Sequence, residues 1–206
     1  ICEVMNEDGT MARLPELIEF AREHGLRIGT IANLIHYRAV YESTVERLGT
    51  QSVSTDHGEF TLHTYRDRVN GGIHVALSQG TLDKSPTLVR VQQSVTLRDV
   101  LGIQVPGSSG WNIQRCLARI AEEKKGVLVL LAGSESAVEM KYKIDALAGR
   151  VRLPRTSAEG DPLMIGVGSQ ILRDLGLGDM RLMAGPAKYH GISGFNLQVA
   201  EYVACS

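Results

Sequence analysis

Three groups of residues in this chain have the types and spacing to do chemistry. The first is acidic: Glu3, Glu7 and Asp8 cluster in CEVMNEDG. A carboxylate at a strand end beside a turn can act as a general base or hold Mg²⁺ through water, and a solvated acidic turn looks the same. The second is His57, His63 and His74, which flank an Asn70-Gly71 turn signal. A two-residue turn there sets His74 opposite Asp67 and His63 opposite Ser78, so the rings do not converge on a metal. The third is Gly166-Val167-Gly168, read as the opening of a helix, where backbone N–H groups can cradle a phosphate. The same glycines also suit close helix packing. Cys2, Cys116 and Cys205 are too scattered for a disulfide framework or a metal clip. Cys116 falls on the apolar stripe of a helix, as a small core residue would. The crossing from Arg90 to Leu117, RVQQSVTLRDVLGIQVPGSSGWNIQRCL, runs from strand to helix where a site is expected. It offers Ser, Gln, Gly and Pro, with no reactive nucleophile, base or metal-ligand set.

The elements that must position these residues follow from periodicity. In residues 1–43, ICEVM and RIGTI read as short strands. LPELIEFAREHG and ANLIHYRAVYES read as helices, the first with Pro15 at its start and Gly25 past its end. Residues 44–55 are polar and unpatterned and predict a linker. From 56 to 206 one domain is expected. GEFTLHTYRD, GIHVALSQG and PTLVRVQQS are strands, the second alternating Ile73, Val75 and Leu77. WNIQRCLARIAEEKKG is a helix burying Ile113, Cys116, Leu117 and Ile120, with Gly126 as its left-handed cap. GVLVLLAG is a buried strand, SESAVEMKYKIDALAG a helix, RVRLPRTSAEGDP a loop and MIGVGSQILRDLG a helix, with strands MRLMAG and FNLQVAEYVA closing the chain. Strands first and βα alternation later predict α+β or α/β with a mixed β-sheet and flanking helices. The AEEKK and MKYK runs are solvated helix faces, and there is no internal repeat.

Composition narrows the classes. The chain has 206 residues, 43% hydrophobic and 22% charged, with a formal net charge of -1. That is globular material with no electrostatic case for nucleic acid or a membrane surface. Its longest apolar run, Gly126 to Gly133, falls far below the ~20 residues a spanning helix needs. The opening ICEVMNEDG lacks the basic start and cleavage site of a signal peptide. A reducing, cytoplasmic location is expected.

The stretch from Cys2 to Arg38 resembles the C-terminal end of 3,4-dihydroxy-2-butanone 4-phosphate synthase. In that family the Glu of the Cys-Glu pair is essential for converting ribulose 5-phosphate, with Mg²⁺, to dihydroxybutanone phosphate and formate. The resemblance gives that role to Glu3. The family's acidic Mg²⁺ loop and Arg-Ala-Gly-His-Thr stretch precede the matched part, so residues 1–43 are expected to be the inactive remnant of a longer, Mg²⁺-dependent synthase unit.

From Val53 to Val203 the chain resembles GTP cyclohydrolase II, in HGEFTLHTYRD, HVALSQG, AEEKKGVLVL, GVGSQILRDLGLGDMRLM and AKYHGISGFNLQVAEYV. That family holds Zn²⁺ with three cysteines. Val95 stands at the first of those positions, and Gly107, Ser108 and Ser109 stand near the other two, so no zinc is expected. The family's Glu-Gly-Arg-Gly-Ile-Gly loop, which serves the triphosphate, is AGSESAVEMK here, without an arginine and with an added acid that would repel phosphate, and its Asp-x-Arg is Asp161, Pro162, Leu163. Arg90, Asp161 and Lys188 are what the resemblance leaves for substrate binding. With three parts of one mechanism missing, a degenerate domain with a structural or regulatory role, in a homodimer, is expected. An active GTP cyclohydrolase II using substitute groups, and a module sensing a nucleotide or flavin-pathway intermediate, remain as alternatives. The small-molecule phosphate substrate belongs to the parent synthase.

Overall fold

A computed structural model describes residues 3–30, 33–34, 37–38, 41–104, 109–133, 135–151, 162–185 and 192–205. The chain divides into two units, Ile1–Tyr37 and Arg38–Ser206.

In the first unit, α1 spans Leu14–Glu23 with Pro15 at its N-terminus, as its punctuation predicts. Glu16 caps the Arg13 N–H at 2.9 Å. The two strands expected here do not form among the described residues. Met5 makes a single bridge to Met11, and residues 26–30 carry no strand pairing. A strand exists only by pairing, and the described residues of this unit include no strand to pair with. The helix expected over 32–43 lies partly outside the described residues.

The second unit is built on one seven-stranded sheet. Its strands are β1 (Val45–Thr55), β2 (Gly58–Asp67), β3 (Ile73–Gln79), β4 (Thr87–Gln93), β5 (Gly126–Leu131), β6 (Asp179–Leu182) and β7 (Gln198–Tyr202). Their order is β1-β2-β3-β5-β4-β6-β7. Pairing is antiparallel from β1 through β3 to β5 and parallel from β5 through β4 and β6 to β7. The mixed sheet is therefore as expected.

The expected linker is a correction: residues 45–55 are β1. As an edge strand it is exposed along most of its length, so no apolar alternation marks it, and backbone pairing to β2 holds it instead.

Three helices flank the sheet: α2 (Ile113–Glu123), α3 (Ala137–Leu147) and α4 (Pro162–Asp174). The β4–α2–β5 connection steps to one side of β4, and the β5–α3–α4–β6 connection returns across it. Parallel connections are right-handed, so steps in opposite directions put their helices on opposite faces. Cys116, Leu117 and Ile120 of α2 pack with Phe60, Leu88, Trp111 and Leu128. Val167, Ile171 and Leu172 of α4 pack with Tyr65, Val89, Val127 and Met180 on the other face. A switch of direction of this kind opens a crevice at the carboxyl ends of the parallel strands.

Glycines fix the fit. A Cβ on Gly126 meets Ile120 Cγ1 at 2.8 Å and Leu88 Cβ at 3.0 Å, so this residue permits α2 and β5 to touch. The left-handed cap of α2 is Lys124, at φ 56°, rather than Gly126. Gly166 and Gly168 do not open α4. They lie inside it, where their N–H groups serve the helix, and a Cβ on Gly168 meets Val91 Cγ1 at 2.9 Å. Packing explains Gly168, and the phosphate cradle is withdrawn.

Candidate functional site at the carboxyl ends of the parallel strands

The crevice is bordered by the crossing after β4 and the loop after β5. In the middle of β4, Arg90 is half-buried and hydrogen-bonded within the protein. Its Nε donates to Gln92 Oε1 at 2.8 Å and one terminal nitrogen donates to the Met183 carbonyl at 2.6 Å. Beyond Gln93 the chain enters a short π-helical turn, Thr96–Val100, that carries Asp99 inward.

The Asp99 side chain is 1% exposed. One oxygen accepts from Gln92 Nε2 at 3.2 Å, from Arg98 Nε at 3.0 Å and from the Ile113 N–H at 3.1 Å. The other accepts from the Val95 N–H at 2.8 Å and an Arg98 terminal nitrogen at 2.6 Å. Burial pushes this carboxyl up, but Arg98 and the two backbone N–H groups outweigh it and hold it below the usual range. Ile113 is the first residue of α2, so the carboxylate also meets the positive end of that helix. Asp99 thus ties the end of β4 to the start of α2 across the whole crossing.

A second carboxylate ties the crossing to the loop after β5. Glu135, 5% exposed, pairs with Lys143 Nζ at 2.6 Å and accepts from the Thr96 N–H at 3.1 Å. Burial raises this group too, and Lys143 and Thr96 bring it below its ordinary value. Beside it, the Gln93 amide lies against Gly133, where a Cβ would sit 2.3 Å from Nε2.

Zinc does not fit these residues. Val95 has no donor atom, and Asp99 has committed both oxygens. Ser109 is exposed and offers only a hydroxyl. Burial pushes the Cys116 thiol up to about 12, so at neutral pH it stays a thiol, a poor ligand. Among the described residues no group of three or more His, Cys, Asp and Glu could hold a metal ion. Also among the described residues, no helix is long and apolar enough to cross a membrane.

The histidines lie elsewhere, and the hairpin that carries them differs from expectation. Tyr65 pairs with His74, and His63 with Ala76, two residues out of the expected register. The cause is Asp67. Its carboxylate accepts from the Val69 and Asn70 N–H groups at 2.7 and 3.3 Å, which lengthens the loop and leaves Asn70-Gly71 outside a two-residue turn. A shift of two keeps every side chain on its face, so the expected neighbours still meet diagonally. His63 Nε2 shares a hydrogen bond with Ser78 Oγ at 2.9 Å, and Nδ1 shares one with Thr50 Oγ1 at 3.2 Å. That is the outline of a nucleophile–base pair, but His63 is 7% and Ser78 4% exposed and the third group is no carboxylate. It is structural.

His74 Nδ1 accepts from the Ala132 N–H at 2.7 Å, so Nε2 carries the proton of the neutral ring. That atom has no partner, and Asp67 Oδ2 is 4.0 Å away. Burial lowers the basicity of both histidines; Arg47 adds to it at His63, and Asp67 opposes it at His74. Ile73, first of the alternating apolar residues of β3, is 48% exposed, because α4 covers the other, polar face of this hairpin. Tyr65 there donates to Asp174 at 2.7 Å.

Among the residues singled out from sequence, Glu3 is exposed in the first unit. Asp161, Lys188, Gly107 and Ser108 lie outside the described residues. Arg90 lies within β4, and Val95 and Ser109 lie on the crossing that follows it. Asp99 and Arg98 were missed, and Glu135 was read only as the acid added to the AGSESAVEMK loop. The available signal was charge: Arg98-Asp99 is the only charged pair between Arg90 and Arg115.

Comparison with known proteins agrees with this division. Residues 46–204 match the family model of GTP cyclohydrolase II, and residues 1–37 match that of 3,4-dihydroxy-2-butanone 4-phosphate synthase. A 3,4-dihydroxy-2-butanone 4-phosphate synthase of Pseudomonas aeruginosa is 45% identical over 98% of this chain and 55% of its own length. The riboflavin biosynthesis protein RibBA of Bacillus subtilis is 38% identical over 98% of this chain and 53% of its own. A crystal structure of RibBX, a two-domain 3,4-dihydroxy-2-butanone 4-phosphate synthase from A. baumannii, superposes with a TM-score of 0.68 at 36% identity, covering 100% of this chain and 53% of that one. The chain spans about half the length of the curated relatives it matches. The match over most of its residues, on a sheet of the corresponding architecture, makes this chain a member of the GTP cyclohydrolase II family.

Proposed function

We infer that this chain serves riboflavin biosynthesis as the C-terminal part of a 3,4-dihydroxy-2-butanone 4-phosphate synthase, and that its cyclohydrolase-like unit does not hydrolyse GTP. One observation carries the reading: the crossing on which the resemblance puts the family's zinc is tied shut by Asp99, and Val95 is what the resemblance leaves at a ligand position. Zinc supplies hydroxide by lowering the pKa of bound water from 15.7 to about 7. Valine and serine supply nothing comparable. The framework is intact meanwhile: a seven-stranded sheet, a capped α2 and close packing at Gly126 and Gly168. A retained scaffold without reactive groups fits a unit that stabilises, dimerises or regulates the synthase joined to its N-terminus. Mg²⁺ and the phosphate substrate belong to that synthase, where Glu3 takes the role of its family's essential Glu.

The test is to delete the residues from Val45 onward in the full-length parent and measure synthase turnover and oligomeric state. The reading expects lower turnover, loss of assembly, or both. Unchanged turnover and assembly would remove it.

A further inference from the structure

We propose that Glu135 is an internal latch: its buried carboxylate bonds the loop after β5 to the crossing after β4 and keeps the crevice between them closed to oxyanion ligands. The contact spans the chain from residue 135 to residue 96, joining the two segments that border the crevice. Its donors, the Thr96 backbone N–H and side chain and the Lys143 ammonium, are of the kind that bind a phosphate or a carboxylate. All of them are directed at Glu135. The crossing holds a second such set around Asp99, so an incoming anion meets two carboxylates already seated on these donors. The rest of the seam is tight, with Gln93 packed against Gly133. The Ser136–Glu139 capping box of α3 is separate from Glu135, so the latch can be removed while that helix keeps its start.

This deepens, and rests on, the reading that the crevice performs no turnover. It adds a cause: the crevice is occupied by the protein itself. The carboxylate stands in for an external anion, so its removal leaves a site that an external anion can fill.

The experiment compares the full chain with Glu135→Ala and Glu135→Gln by amide hydrogen exchange at Thr96 and across residues 94–104, with and without inorganic tripolyphosphate. Glu135→Ala is expected to exchange about tenfold faster at Thr96, since a hydrogen bond to a buried charge is lost. Tripolyphosphate should slow it again in a saturable way and leave the unmodified chain unaffected. Glu135→Gln, which keeps an acceptor but loses the charge, should fall between, and it carries the test if the alanine variant does not fold. Unchanged exchange in the variants overturns the latch. So does protection of the unmodified chain by tripolyphosphate, or a loosened crossing that tripolyphosphate does not restore. GTP turnover by the unmodified chain would instead sink the functional reading, so the two failures are distinguishable.

Discussion

The crossing after β4 and the β2–β3 hairpin both bury polar groups, but they satisfy them with opposite chemistry. The crossing gathers backbone N–H groups and Arg98 around an ionised carboxylate. The hairpin uses imidazoles held neutral: His74 accepts a backbone N–H, and His63 bridges two hydroxyls. A charge-centred cluster concentrates its strength in one residue, and a neutral network spreads it over several. The first therefore breaks sharply when its centre is removed. The second wears away as protons are added.

The largest effect expected is at Asp99. Asp99→Ala leaves the Val95 and Ile113 N–H groups without their acceptor and Arg98 with only the Gln93 carbonyl, and costs about 3–5 kcal/mol. Denaturant unfolding measures this, and a cost under about 1 kcal/mol would put Asp99 on a par with a surface ion pair and erase the contrast. Next comes pH. The histidines have lowered folded pKa values, so their contribution is present above the unfolded value of about 6.5 and is lost as pH falls below it. Asp99 is also lowered, so its contribution persists down to its unfolded value, about 3.9, and is lost below that. Thermal melts from pH 8 to pH 4 should show the histidine decline first, and His74→Asn should flatten it; a flat profile in the unmodified chain would break the comparison. The smallest effect is Tyr65→Phe, which removes one hydrogen bond to a half-exposed Asp174 and costs about 1 kcal/mol. A cost like that at Asp99 would mean the hairpin network is not distributed.

What the sequence revealed follows the range of the interaction. The helix expected from Trp111 forms as α2, and its start is local: Asn112 accepts from the Arg115 N–H at 2.8 Å. The start of α3, within the helix expected from Ser134, rests on a local pair too, Ser136 and Glu139. β1 was hidden because an exposed edge strand has no apolar period. The hairpin register was hidden because Asp67 competes with Asn70-Gly71 for the turn, and a carboxylate capping its own loop outdoes a dipeptide preference. The crevice was legible by what it lacked, through family resemblance, and illegible by what fills it. Asp99 meets Ile113 over 14 residues and Glu135 meets Thr96 over 39, and no local pattern encodes either meeting.

The most direct measurement is elemental analysis for zinc on the purified chain, with formate release from GTP assayed on the same sample. The account predicts neither bound zinc nor formate. One zinc per chain accompanied by formate would contradict it.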